Sequence, residues 1–480
     1  MASSSNFANA NNNGNANANG ASNANGVRPI MKTCTIGQSS RNMSKIRRAG
    51  PILKRRNIWA GCCRIRPMQL KTRLIFKNMS KGLEDLYNID HLYESFICTK
   101  SGTDWKESVQ RYEINLLENL TKVSRELQDG TFTFKPVIEF KLCERGHVRF
   151  IKSHHIYDRV VLLCFVKYVL LPKVLPKVIY DNAASIEGRG VAHARKRLCV
   201  HLNRFYKEHG NKGYIRLFDF SKFYDNIRHD KALELFRPLL NDEEFNFLKL
   251  NFKHFEFDLS PLSDEEFIRC RDGVFNSLNY INIPKDARTG EKMLHKSVGI
   301  GSPVSQTIGI YYPKMIDNYV KIVRGCRYYA RYNDDFYIIS DTIENLNSLT
   351  AGILKIYREY GLYLNPRKIK TIPLSREFVY LKIAYRLKDN GRIVKRVLSE
   401  NFRRERRRLR KFQKLYRTDK MTREYALKCY KTWRGNYLKF NNKRQIRKTD
   451  ALFIRLFDYK KGEKPWKKMK TSKQMKTKQT

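Results

Sequence analysis

The chain has 480 residues, with 95 lysines and arginines against 46 aspartates and glutamates, a formal net charge of +49. Self-repulsion on that scale excludes a protein that works without a polyanion, with nucleic acid the first candidate and an anionic membrane surface the second. No apolar run approaches a membrane span or a signal-peptide core, and the ten cysteines show no Cys-x-x-Cys spacing, which points to neither a zinc site nor a disulfide framework but to a soluble cytoplasmic protein with reduced thiols.

Residues 1 to 29 are almost wholly Asn, Ala, Gly and Ser, too poor in apolar surface to offset ordering, and a basic stretch of weak periodicity runs on to Asn78. Folded sequence is expected from Met79, with a helical stripe at Leu83, Leu86, Tyr87, Leu92 and Phe96 and a second helix from Val109 to Leu127. Alternating strands then turn at Glu144-Arg145-Gly146, and Arg149 and Lys152 on the return strand could fold over a triphosphate or form a solvated basic hairpin. An apolar helix from Val160 is expected to stop at Leu171, before Pro172. Gly188-Arg189-Gly190 precedes a helix bearing Arg195, Lys196 and Arg197. Tyr214 to Phe218 is a strand that ends on Asp219 and continues towards a helix. A mixed insertion spans residues 241 to 297, and the loop Val298-Gly299-Ile300-Gly301-Ser302-Pro303 opens a long helix through Val320. After a helix from Leu346 to Tyr360 come Gly361-Leu362-Tyr363-Leu364-Asn365, a strand pair around Val379 to Lys382, a basic helical region from Arg403 and a lysine-rich tail from Lys460 without a core.

The most informative stretch is Tyr328 to Ser340, in which aromatic and branched residues flank Asn333-Asp334-Asp335 and predict a hairpin with two adjacent carboxylates at its tip. Two such charges about 4 Å apart repel by roughly 4 kcal/mol at an effective dielectric near 20, so a fold gathers them where a cation binds.

A strand ending in Asp219, a Gly-Ser-Pro loop opening a helix, a hairpin presenting Asp334 and Asp335, and a Gly-Leu-x-Leu-Asn element before a basic helical region follow one another in the order of the reverse transcriptases. The chain resembles that family over roughly residues 79 to 458. The resemblance implies an α+β right-hand polymerase: fingers at 79–213, an antiparallel palm sheet packed on helices at 214–386 with the insertion at 241–297, a helical thumb at 387–459, and a tail at 460–480. It implies an RNA-directed DNA polymerase, a nucleotidyltransferase, that takes template RNA, a cDNA or primer end and dNTPs. Two Mg2+ ions, or Mn2+ in their place, would be held by Asp219, Asp334, Asp335 and the Phe220 carbonyl, since magnesium prefers hard oxygen ligands. Tyr224 would form an aromatic wall against a ribose 2′-hydroxyl. Arg149, Lys152 and Arg159 would contact the triphosphate, Ile300, Gly301 and Gln306 would line the nucleotide pocket, and Tyr380, Leu381 and Lys382, after Val379, would grip the primer. Lys368 would donate a proton to pyrophosphate, with Lys370 close enough in register to compete for that role.

Many members of the family have Gln-Gly-x-x-x-Ser-Pro at the nucleotide pocket, whereas this chain has Ile300-Gly301-Ser302-Pro303-Val304-Ser305-Gln306. That variant is similar to the reverse transcriptases of diversity-generating retroelements, within the group II intron-like superfamily, which copy a template RNA with errors at adenines and work with a small basic accessory protein. The Asn-rich leader fits the same reading as an adenine-rich template repeat translated in frame, which would put the genuine start at Met79. An ordinary disordered leader is the plainer alternative. Group II intron, retron and defence-associated reverse transcriptases are rival readings, and a catalytically silent RNA-binding module is the rival from another class.

Overall fold

The computed structural model describes residues 8–10, 16–18, 83–144, 146–460 and 462–466. Within the leader expected to lack structure, Ala8–Ala10 and Ala16–Ala18 pair as two antiparallel three-residue strands, to that extent a departure from the expectation. Backbone hydrogen bonds alone make such a ladder, which needs no apolar core to pair. The remainder of the leader, Arg145, Lys461 and residues 467–480 lie outside the described residues.

The α+β class expected from the sequence is what the structure shows. After a single helical turn at Glu84–Tyr87 come helices α1 (Ile89–Lys100), α2 (Glu107–Ile114) and α3 (Leu116–Gln128). The long helix expected from Val109 is divided at Asn115, which leaves the helical conformation. Strands β1 (Ile138–Glu144) and β2 (His147–Ser153) form a regular antiparallel hairpin. After α4 (Ile156–Cys164) the helix widens into a π-turn at Phe165–Leu170 and resumes at Leu171–Val174. Pro172 therefore does not end the helix. It follows directly on the π-turn, where Leu171 N donates to Val166 O and the helical backbone runs on without a break.

A four-stranded antiparallel sheet positions everything that follows. Strand β3 (Tyr214–Phe218) is central, and the insertion after it contains α5 (Asp242–Lys253) and the short pair β4 (Phe257–Asp258) and β5 (Met293–Leu294). Helix α6 (Pro303–Tyr311) breaks near Pro313, so the single long helix expected through Val320 is three shorter helical segments. Strands β6 (Tyr329–Tyr332) and β7 (Asp335–Ser340) follow, then α7 (Ile343–Glu359) and β8 (Lys370–Pro373), and the sheet order is β8-β3-β7-β6.

Side chains along β7 alternate between two cores. Phe336 and Ile338 enter the core shared with Leu346, Leu349, Ile353 and Tyr357 of α7, while Tyr337 and Ile339 enter the opposite one with Leu198, Leu202 and Phe205 of a helix at Val191–His209. The strand period of two thus gives a sheet covered on both faces, each fully buried Leu or Ile contributing roughly 1.5–3 kcal/mol. A three-stranded sheet, β9 (Phe378–Tyr380), β10 (Ile383–Leu387) and β11 (Ile393–Val397), closes the second core. Three helices follow, α8 (Ser399–Arg417), α9 (Arg423–Tyr437) and α10 (Lys443–Leu456). The tail begins by returning to these helices. Trp466 packs on Tyr430 and under the Arg434 guanidinium, so its first residues do join a core.

Candidate active site

Strand β3 pairs with β7 through Phe218 and Phe336, and one step further along this register Asp219 stands beside Asp335. Tyr332 and Asp335 close a two-residue turn of Asn333 and Asp334. Asn333 has a φ of 58°, a conformation asparagine tolerates better than most side chains. Two sequence-distant segments therefore converge on one end of the sheet. They border an open cleft of about 420 Å3 lined by Asp219, Asp335, Arg367, Lys368, Tyr380 and Leu381 among others.

A buried guanidinium holds the turn from below. Arg331 is 1% exposed and donates from Nε and Nη2 to Asp317 (2.9 and 2.7 Å), from Nη2 to Ile310 O (2.7 Å) and from Nη1 to Asn333 O (3.3 Å). Asp317 also accepts from Tyr329 Oη at 2.5 Å. Helix α6, the helical segment that carries Asp317 and the hairpin turn are thereby tied to one planar group, which fixes where Asp334 sits.

The carboxylates are electrostatically unbalanced. Burial, then the neighbouring charges of Asp334 and Asp219, pushes Asp335 up to about 7, and burial and Asp219 raise Asp334. Lys368 Nζ donates to Asp219 Oδ2 at 2.7 Å. Burial alone would lower the Lys368 pKa, but that bond and the three carboxylates raise it, so the group is protonated at neutral pH. The oxygens of the three carboxylates do not all approach within 4.8 Å of one another. A single small ion would need a tighter set, whereas two ions about 3.5–4 Å apart need a broader one. The donors are hard oxygens with excess negative charge and fit divalent magnesium.

A pH dependence follows from the raised pKa of Asp335. A carboxyl raised in the fold from its ordinary 3.8 to about 7 binds more protons in the folded than in the unfolded state between those values. Its contribution to stability is present below pH 4 and is lost as pH rises to 7. Asp335→Asn is therefore expected to raise the thermal midpoint of metal-free protein at pH 8 and to leave it nearly unchanged at pH 4. Melting curves at the two pH values check this, and equal shifts at both would refute it.

The remaining expected site residues are distributed unevenly. Tyr224 lies under the turn, its Oη accepting from Asn333 Nδ2 at 3.1 Å and its ring against Gly309. A Cβ at Gly309 would come within 3.0 Å of that oxygen, so glycine there gives the ring its place. Phe220 bridges Leu364, with Asp219 O and Ser221 N making the flanking bonds, so the Phe220 carbonyl points away from that partner. The loop at Gly299 to Ser302 lies on β2, because Gly301 has a φ of 123° and a Cβ there would meet Lys152 O at 3.3 Å. Ile300 and Gln306 are partly exposed.

Lys152 does not face the cleft. It is 3% exposed, its register partner is Glu139, and Nζ donates to Glu256 O at 2.9 Å while standing 3.8 Å over the Phe257 ring. The backbone carbonyls and the ring anchor it to the insertion, in place of the triphosphate contact expected. Arg149 is exposed on the same strand, and its charge is felt at Asp334. Arg159 is half-buried, its charge felt at Lys106. Tyr380 likewise turns inward, 3% exposed against Tyr337, because strand alternation gives the outward position to Val379, 43% exposed. Leu381 and Lys382 form the turn beyond it with φ of 45° and 66°, both in the left-handed region. Arg195 Nη2 donates to Leu381 O at 2.5 Å. Arg331, Asp317, Asn333 and Arg195 were not anticipated. Asn333 could have been found from its turn position, but nothing in the sequence pairs Arg195 with a residue 186 positions away.

Residues 158–384, from α4 to the three-stranded sheet, match the family described as reverse transcriptase (RNA-dependent DNA polymerase). The matched segment is just under half of the chain and holds Asp219, Asp334, Asp335 and Lys368. Among solved structures the chain is similar to telomerase from Candida albicans in complex with a TWJ fragment of telomeric RNA, at 13% identity and a TM-score of 0.39, covering 66% of this chain and 52% of that one. It is also similar to apo telomerase from Candida tropicalis, at 15% identity and a TM-score of 0.37, covering 54% and 47%. The chain thus spans about half the length of these solved structures. No curated protein matches it. Among the described residues no helix is long and apolar enough to cross a membrane.

Proposed function

We propose that the chain copies a retroelement template RNA into cDNA with elevated error at template adenines, as the reverse transcriptases of diversity-generating retroelements do. The observation that carries the polymerase chemistry is the meeting of Asp219 with the Asp334-Asp335 turn beside a protonated Lys368. Asp219, the Phe220 carbonyl, Asp334 and Asp335 would hold two Mg2+ ions. When bound, the ions activate the primer 3′-oxygen and offset charge on the triphosphate. Asp219 and Asp334 orient that oxygen. Lys368, protonated and within reach of the cleft beside Asp219, would carry the proton the leaving pyrophosphate requires. Tyr224, pinned by Asn333, offers its ring edge to the sugar and discriminates against a 2′-hydroxyl. Arg149 meets the triphosphate from the β1–β2 hairpin, with Arg159 a more distant contributor, and Lys152 serves the hairpin's anchorage.

In this reading, 79–213 are fingers, 214–386 the palm with its insertion, and 387–459 a thumb whose basic helix α8 follows the template–primer duplex. Leu381 and Lys382 contact the primer end while Tyr380 supports them from the core. The partners are template RNA, the cDNA end, dNTPs and a small basic accessory protein.

The low-fidelity part of the proposal is supported by Ile300, an apolar side chain on the loop between Arg149's strand and helix α6. A glutamine there could hydrogen-bond the incoming pair, and a site built to hydrogen-bond discriminates far better than an apolar one. Ile300→Gln is expected to lower misincorporation opposite template adenine by several-fold while leaving errors at other bases nearly unchanged. Sequencing of cDNA made on a defined RNA measures this. An unaltered error spectrum removes the diversity-generating reading and leaves the polymerase.

A further inference from the structure

Away from the catalytic carboxylates, three chain segments lie side by side where the insertion rejoins the sheet domain. Strand β4 pairs with β5 through Phe257 and Leu294, so one residue on, Glu256 stands opposite His295. On the other side Arg228 bridges Lys296 antiparallel, and the His229 N–H donates to His295 O at 3.1 Å, so His229 also stands beside His295. Glu256, His295 and His229 therefore form one cross-strand row, and residues directly opposite on neighbouring strands project from the same face. One nitrogen of each ring and a Glu256 carboxylate oxygen lie within 4.8 Å of one another. The His295 Nδ1 to Glu256 Oε1 separation is 3.0 Å.

His229 supplies an independent observation. The residue is 4% exposed, and its Nε2 is 2.5 Å from Ser297 O, a backbone acceptor that holds Nε2 as the protonated nitrogen. Its Nδ1 is buried without a hydrogen-bond partner. A carbonyl fixing one ring nitrogen so that the other presents its lone pair is the outer-shell arrangement of metal-ligating histidines. Burial keeps the ring neutral, with a pKa lowered to about 4, so no proton competes for that lone pair near neutrality.

We infer that His229, Glu256 and His295 form a zinc site that clasps the insertion to the segment between Tyr224 and the Gly299–Ser302 loop. Two imidazoles and one carboxylate are a common three-ligand set for Zn2+, with ligand atoms at 2.0–2.2 Å and hence about 3.3 Å apart in a tetrahedron. The present spacings need only a modest contraction. The imidazoles disfavour magnesium and calcium, which take oxygen. The Lys152 ammonium on the Glu256 carbonyl opposes a cation, and the Glu256 carboxylate supplies the offsetting charge. The site uses no cysteine, so the lack of paired cysteines does not bear on it. Its role is structural: Ser297 N bonds Ile227 O and Val298 N bonds Tyr224 O, so the clasp fixes the backbone that carries the aromatic wall and the nucleotide loop.

The test titrates Zn2+ into chelator-stripped full-length protein by calorimetry and repeats the titration with His295→Ala, Glu256→Gln and Asp334→Asn. His295 has a side chain 63% exposed, so its replacement should leave the fold intact. Wild type and the Asp334 variant are expected to bind one equivalent and gain thermal midpoint. The His295 and Glu256 variants should lose at least the ~10–100-fold in affinity that even outer-shell changes cost. Cobalt substitution should give visible bands of a nitrogen and oxygen site. Absence of saturable binding, binding indifferent to both ligand variants, loss of the equivalent in Asp334→Asn, or a thiolate-to-cobalt band assigning the metal to cysteines such as Cys62 and Cys63 would each overturn the proposal.

Discussion

Primer extension on an RNA template is expected to fall by at least ~10^3-fold when Asp334 becomes Asn, equivalent to about 4 kcal/mol of transition-state stabilisation. The substitution keeps the shape of the turn side chain but removes an anionic oxygen where the cations and the attacking hydroxyl would meet. Asn333 holds the φ of 58° that the turn needs, and Arg331 holds its carbonyl, so the variant should fold normally. Removing one of the mutually repelling carboxylates also lets Asp335 ionise at a lower pH, since Asp334 is its largest raising charge after burial. RNA affinity should change little because it depends on the basic surface. Single-nucleotide incorporation with magnesium, together with RNA binding by filter retention, separates these effects. A variant that still extends primers at more than about a tenth of the wild-type rate would exclude these carboxylates from the chemistry.

Replacing either member of the buried Asp317–Arg331 pair is expected to cost about 3–5 kcal/mol of stability, because a charge is then left buried without its partner. Arg331 and Asp317 are 1% and 2% exposed, and the guanidinium also satisfies carbonyls of Ile310 and Asn333. Arg331→Met and Asp317→Asn should each lower the urea midpoint sharply. The double variant Asp317→Leu with Arg331→Met should recover much of the loss, since apolar replacement of a whole buried pair is often nearly neutral. Catalysis separates the pair's two roles. With the Asn333 carbonyl released, the double variant should remain folded yet show a lower kcat with little change in KM, because the turn no longer presents Asp334 at a fixed place. A double variant as active as wild type would show that strand pairing alone sets the turn.

Strand and helix identities were largely legible where period and turn chemistry agreed. The β6–β7 hairpin, the end of β3 at Asp219 and α7 follow from local pattern, because each buries a face whose spacing matches its own geometry. Breaks were less legible. Pro172 reads as a stop, yet the helix passes it directly after a π-turn whose apolar residues lie in the first core, and Asn115 divides a helix with an unbroken apolar stripe. Side-chain direction failed where one residue type serves two purposes. Lys152 looked like a ligand for phosphate and Tyr380 like a grip on the primer, yet both are buried, one on backbone carbonyls of the insertion and one against Tyr337.

The sequence by itself determined the order of the acidic and glycine-rich elements, the apolar residue at Ile300, and a net charge of +49 that calls for a polyanion. These are properties of residue type and order, which local sterics and electrostatics act on directly. Only the tertiary structure decided that Asp219 stands beside Asp335, that Lys368 and not Lys370 meets Asp219, that Arg331 and Asp317 support the turn, and that His229, Glu256 and His295 fall into one row. Each of those facts depends on strand register and on which face a side chain takes. Register is set by the summed burial of whole cores, so no local stretch of the chain encodes it.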